Sequence, residues 1–170
     1  MTKLSKLGIV LGGYAAAFLV SCAAFYIWTR FETIADMSGG MQAFGDSLLF
    51  AGLFGFLSLA PTAAALYFVR SYLKLWTLLS IASLTVATTA PIAALMIPRT
   101  PKPPSLLMLA GFFGLMEVFA SPLFGLCFLL AAAIAPERRP RWILAASAGL
   151  EFVVGAYAFY CMWVVGRWVL

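Results

Sequence analysis

Five apolar stretches, at residues 7–28, 44–69, 75–97, 105–134 and 142–165, constrain this chain more than any other feature. Each is long enough for a helix to cross a hydrocarbon core of ~30 Å, which takes about 20 residues. At 64% hydrophobic and a mean hydropathy of +1.03, a chain of 170 residues cannot hide this surface from water, so lipid is its solvent. The runs do not alternate with a period of two, which excludes the strands of a barrel. In lipid every backbone group must be bonded within its own segment, and helices satisfy that. The expected fold is an all-α integral membrane protein, a five-transmembrane-helix bundle forming one membrane domain over residues 1–170.

The distribution of Lys and Arg sets an orientation. Lys3, Lys6, Arg70, Lys74, Arg138, Arg139 and Arg141 lie on one side, and Arg30, Arg99, Lys102 and Arg167 on the other. The positive-inside rule then puts the N-terminus in the cytoplasm and the C-terminus outside. The location expected is a cell membrane, multi-pass, of the bacterial inner-membrane type. A net charge of +5 spread over short loops forms no basic stripe, so nucleic acid is not an expected partner. The expected partners are the lipid bilayer, other membrane subunits or a second copy of the chain. Leu19-Val20-Ser21-Cys22 matches a lipoprotein cleavage box, but the apolar run continues through AAFYIW, so this segment reads as a first transmembrane helix.

Along the chain, Gly8 and Gly12 have the small-xxx-small spacing that lets helices approach closely. Tyr26 and Trp28 mark an interface. In the longest loop, Phe31, Ile34 and Met37 recur at helical spacing opposite Glu32 and Asp36. They fit either a short amphipathic turn ended by Gly39-Gly40 or an ordinary loop with apolar anchors. Asp46 follows Gly45 and reads as a helix N-cap. RSYLK makes a tight link, PRTPKPP a stiff one, and PERRPR a basic inner cluster suited to anionic headgroups. Pro61, Pro91 and Pro122 each remove one helical hydrogen bond and predict kinks, with Thr62, Thr88 and Thr89 available to the freed carbonyls.

Chemistry is sparse. Without histidine there is no His-ligated haem, zinc or iron and no His-dependent triad. Cys22, Cys127 and Cys161 share no CxxC spacing and read as apolar packers. No metal site, cofactor or catalytic motif is expected, and the sequence leans away from an enzyme.

Two acids interrupt the apolar runs: Glu117 in GLMEVFASPLFG and Glu151 in AASAGLEFVVGAY. At 1.5 Å per residue, Glu151 lies roughly 13 Å above the inner boundary. Counted from Ser105, Glu117 lies about 12 Å above it, nearly level with Glu151; counted from Ile134 it is about two turns higher. Gly114, Ser121 and Gly125 share the face of Glu117; Ser147, Ala148, Gly155 and Ala158 share that of Glu151. Small stripes in lipid are helix–helix contacts, so both carboxyls are expected to point into the bundle. No Lys or Arg lies inside a span, and an ionised carboxylate there costs at least ~2.5 kcal/mol. The carboxyls are expected to share a proton or to bond to Ser, Thr and backbone carbonyls.

Glu117, Glu151, Ser121 and Ser147 are therefore the candidate ligand- or proton-binding residues. The leading function is an accessory or scaffold subunit of a membrane complex, or a homo-oligomer: the chain is small and many of its helix faces are lined by small residues. The alternative is a small proton-coupled or cation-coupled transporter using the buried glutamate pair. A membrane enzyme acting on lipid finds no supporting signature.

Overall fold

The computed structural model describes residues 2–31, 39–96 and 105–160. Regular structure among them is entirely helical: α1 Lys3–Phe31, α2 Gly39–Leu57, α3 Leu59–Phe68, α4 Leu73–Met96, α5 Ser105–Ile134 and α6 Arg138–Tyr160. Five segments are long and apolar enough to cross a membrane: Lys3–Phe31, Ala43–Phe68, Leu73–Ile92, Met116–Ile134 and Arg138–Tyr160. They fall on the five apolar stretches. The loop carrying Glu32, Ile34, Asp36 and Met37, the PRTPKPP link, Cys161 and Arg167 lie outside the described residues.

Helix starts differ from expectation in two places. Gly39 opens α2 instead of closing a preceding turn, so Asp46 sits two turns inside the helix and is not its cap. It is half-buried beside Phe25, Ala43, Ser47 and Phe50. Helix α6 begins at Arg138, with Pro140 in its first turn, where a missing N–H leaves no intrahelical bond unmade. The Arg141 guanidinium donates to the Ala135 carbonyl at 2.8 Å and closes the link from α5.

Contacts divide the chain into two compact units, Met1–Val69 and Arg70–Leu170. In the first, α1 packs against α2 and α3. Phe18 meets Phe50 and Phe54 edge-on, and Phe25 meets Phe50, with ring centroids 6.0–6.1 Å apart. Further along, Tyr14 shares a 2.8 Å hydrogen bond with Thr62, and Lys6 sits over the Phe68 ring at 5.4 Å. At the opposite end of α1, Arg30 lies over Tyr26 and donates to its hydroxyl at 2.8 Å, while Trp28 is exposed. The register is antiparallel throughout.

The close approach of α1 does not use Gly8 or Gly12, which have nothing within 4 Å. It uses Gly13, where an added Cβ would stand 2.8 Å from the Pro61 Cβ. Gly8 and Gly12 lie on another face of α1, where no described residue comes within 4 Å of an added Cβ.

In the second unit α4, α5 and α6 pack mutually, α5 most extensively on α6. Trp76, Ser80, Ser83, Ala87 and Ala90 form the buried stripe of α4 at alternating spacings of three and four. Trp76 is fully buried and donates its indole N–H to the Arg70 carbonyl at 3.2 Å. Val118, Ser121, Gly125, Ala131 and Ala132 are buried on α5, Ala135 just past its end, and Leu144, Ser147, Ala148, Glu151, Val154 and Ala158 on α6. A Cβ on Gly155 would come 3.1 Å from Pro122 Cγ, and one on Gly125 would come 3.0 Å from the Phe152 ring. Side chains of one helix thus fill notches left by glycine in the other.

The prolines behave differently from one another. Helical assignment lapses only at Pro61, where Ser58 separates α2 from α3; α4 and α5 run through Pro91 and Pro122. The threonines do not serve the carbonyls these prolines free. Thr62 donates to Ser58, Thr88 to Thr85 and Thr89 to Val86, whereas the freed carbonyls belong to Leu57 and Ala87. A hydroxyl in a helix reaches the carbonyl three or four residues before itself, and neither proline stands at the position that would bring the freed group into reach. Gly13→Ala should lower stability by about 1–3 kcal/mol through overpacking against the proline ring. Gly12→Ala should change it by less than about 0.5 kcal/mol. Equilibrium unfolding in mixed micelles would show the two variants separated by this margin; equal effects would mean that Gly13 is not the contact point.

Candidate functional site

The site grows from three helices whose inner faces are small enough to admit polar groups. On α6, one helical face presents Ser147, Glu151 and Ala158, and Glu151 is 0% exposed. On α5, Ser121 stands opposite and is equally buried. The Ser121 hydroxyl donates to Glu151 Oε2 at 2.6 Å. Glu151 Oε1 is buried and has no hydrogen-bond partner.

Glu117 is placed differently from expectation. The buried face of α5 runs through Val118, Ser121 and Gly125, and Glu117 lies at its edge, half-exposed. One residue of offset rotates a side chain by about 100° around the helix, which carries Glu117 from the α6 contact to the α4 border. There it meets Thr89, whose hydroxyl oxygen lies 2.5 Å from Glu117 Oε1 and 2.7 Å from the Val86 carbonyl. The two glutamates therefore do not pair with each other. Each finds a hydroxyl on a neighbouring helix, and Glu151 reaches α5 one turn away from Glu117.

Ser147 joins the same polar line through α4. Its hydroxyl is 3.3 Å from that of Ser83, and Ser83 donates to the Ser80 carbonyl at 2.9 Å. Three side-chain hydrogen bonds consequently tie three different helix pairs: Ser83–Ser147 joins α4 to α6, Ser121–Glu151 joins α5 to α6, and Thr89–Glu117 joins α4 to α5.

All four candidate residues lie in this unit, and the structure adds Ser83 and Thr89. The signal for Ser83 was present as the Trp76, Ser80, Ser83, Ala87, Ala90 periodicity. Thr89 stands off that stripe, so no periodicity marks it. Of the kink prolines, Pro122 belongs to the site's surroundings, directly after Ser121; Pro91 lies two residues after Thr89, and Pro61 belongs to the other unit. Among the described residues no group of three or more His, Cys, Asp or Glu side chains forms a metal site.

The two glutamate bonds differ in burial, so their removal should differ in cost. Ser121→Ala strands both oxygens of Glu151 and should cost about 1–3 kcal/mol. Thr89→Val removes a bond at the less enclosed edge of the interface and should cost about 0.6 kcal/mol, the usual scale for hydrogen bonds between membrane helices. Unfolding free energies in bicelles would test the order, which reverses if Glu117 is the better-sequestered acid. Compared with protein-family models, curated proteins and solved structures, the chain matches none.

Proposed function

We propose that the chain is a multi-pass cell-membrane protein, N-terminus cytoplasmic and C-terminus outside, acting as an accessory or scaffold subunit of a membrane complex or as a homo-oligomer. The observation that carries this reading is a set of small residues on α1 and α2 that no described residue approaches closely. Gly8 and Gly12 on α1 and Gly45 and Gly52 on α2 have nothing within 4 Å. On α2, Ala43, Ser47 and Ala51 form an exposed stripe at four-residue spacing. A surface meant only for lipid has no need of small residues, whereas a second helix approaches closely where they line up. Arg138 and Arg139, exposed at the start of α6, supply the positive charge expected of the inner side.

A second reading, a small proton-coupled or cation-coupled carrier, is favoured by one observation: the unpartnered, fully buried oxygen of Glu151. A purely structural acid would be expected to have both oxygens satisfied, because an orphaned buried acceptor costs about 1–3 kcal/mol.

Extraction from native membranes in mild detergent, followed by native mass spectrometry, should give a species heavier than one chain. A lone monomer would exclude the subunit and homo-oligomer reading. For orientation, a C-terminal fusion to an enzyme active only outside the cytoplasm should be active, and a C-terminal fluorescent protein that matures only inside should be dark. The opposite pattern would reverse the assignment.

A further inference from the structure

We propose that Glu117, Ser121 and Glu151 form a proton shuttle within the α4–α5–α6 unit, with Glu117 as the loading carboxyl and Glu151 as the buried acceptor. The inference rests on the second reading, in which the carboxyl pair handles protons or cations, and names the proton as the species carried.

Donor counting gives the first argument. The Thr89 hydroxyl has one proton and two acceptors around it, the Val86 carbonyl at 2.7 Å and Glu117 Oε1 at 2.5 Å. A carbonyl cannot donate, so the two contacts share the single Thr89 proton when Glu117 is ionised, and each has a proton of its own when Glu117 is protonated. When Glu117 gives that proton up, Thr89 turns its hydrogen to the carboxylate, and the Val86 carbonyl keeps its helical bond. A hydroxyl rotation thus accommodates both states, and Glu117 stands at the edge of the buried α5 face, outside the enclosed position of Glu151.

The second argument is the ligand Glu151 can take. Its Oε2 accepts from Ser121 and its Oε1 has no partner, in a position with no exposure. Along the apolar lengths of the three helices the charged groups are Glu117 on α5 and Glu151 on α6, with none on α4 between Leu75 and Met96. The other titratable groups there, Cys127, Tyr157 and Tyr160, supply no positive charge. A hard metal cation takes about six oxygen ligands. Among the described residues, the oxygens released here from regular bonding are Glu151 Oε1 and the Val118 and Ala87 carbonyls freed by Pro122 and Pro91, too few for such a shell. A proton needs one.

The third argument is the path. Glu117 and Ser121 stand four residues apart on α5, so their side chains are neighbours. A rotamer change of Glu117 from Thr89 to Ser121 lets its O–H bond break as that proton bonds to Ser121 Oγ. The proton Ser121 already carried passes to Glu151 Oε2. Glu117 ends as carboxylate, Glu151 as acid, and Ser121 is unchanged. Inward of Glu151, Ser147 and Ser83 continue the polar line.

The test uses the full chain reconstituted in lipid vesicles, with an entrapped pH dye and infrared difference spectra across pH. Wild type should pass protons down a pH gradient without added sodium or potassium gradients. It should also show two carboxylic-acid carbonyl bands, one lost in E117Q and the other in E151Q. S121A should keep both bands yet slow proton flux by about 100-fold or more, the scale of one positioned transfer group. If S121A does not fold, E117Q makes the same test: the Glu151 band should persist while flux is lost. Unchanged proton flux in S121A or E117Q overturns the shuttle and leaves the carrier reading standing. Flux of sodium or potassium without protons does the same. No flux of any of these ions overturns both.

Discussion

The hydrogen bond from Ser121 to Glu151 fixes how α5 lies on α6, and the rest of the three-helix unit is arranged around it. Lipid gives no hydrophobic reason for one apolar helix to prefer another, so register must come from fit and from polar contacts. Pro122, next to Ser121, seats against Gly155, and Phe152, next to Glu151, covers Gly125. These notches require glycine because any Cβ would fall about 3 Å from its neighbour. Sliding either helix by one residue would break the hydrogen bond and both notch contacts together. The polar bond and the glycine packing thus specify one register by independent means.

The two units solve the packing problem with different chemistry. In Met1–Val69 the contacts are edge-on phenylalanines and the seat of Pro61 on Gly13; its polar groups include the Tyr14–Thr62 pair with its relay to Ser58 and the buried Ser21, whose hydroxyl bonds back to the Ala17 carbonyl. In Arg70–Leu170 the buried faces carry Ser80, Ser83, Ser121, Ser147 and Glu151. Aromatic edges tolerate small slips, because the quadrupolar preference is broad and each pair is worth only about 0.5–1.5 kcal/mol. Hydrogen bonds in a water-free interior do not, since a slip leaves a donor or acceptor alone. The site sits in the unit whose geometry is the more tightly specified.

The five helices were legible because run length and hydropathy alone select them in lipid. Placing Glu151 inward was equally legible, from Ser147, Ala148, Gly155 and Ala158. Glu117 was misjudged because Gly114, Ser121 and Gly125 surround it at helical spacing, yet the buried stripe is centred one residue later, on Val118. A glycine can lie at the edge of an interface as easily as at its centre, and its spacing does not tell which. The same ambiguity misassigned the close approach of α1: Gly8, Gly12 and Gly13 are all small, and only the position of Pro61 selects Gly13. Asp46 shows a third kind of limit. Gly45 before an acid is a good local cap signal, but helix propagation from Gly39 overrode it. Caps depend on where a helix starts, and in a chain this apolar the hydrophobic pattern marks starts poorly.

A structural and a proton-handling role for the glutamates are not rivals in this geometry. The hydroxyls that hold the helices together are also those that offer the carboxyls their hydrogens, so a change in protonation acts on the packing bonds directly. Thr89 has a second acceptor in the Val86 carbonyl and can reverse its hydrogen without losing its place. Ser121 gives its hydrogen to Glu151 Oε2, and the Val118 carbonyl that Pro122 frees lies three residues before it, within reach of a serine hydroxyl. Both hydroxyls therefore have a backbone carbonyl to turn to when the carboxyl beside them changes state. They differ in place: Thr89–Glu117 lies at the edge of the buried α5 face and Ser121–Glu151 at its centre, so a change at Glu117 acts on the α4 border and a change at Glu151 acts on the α5–α6 register itself.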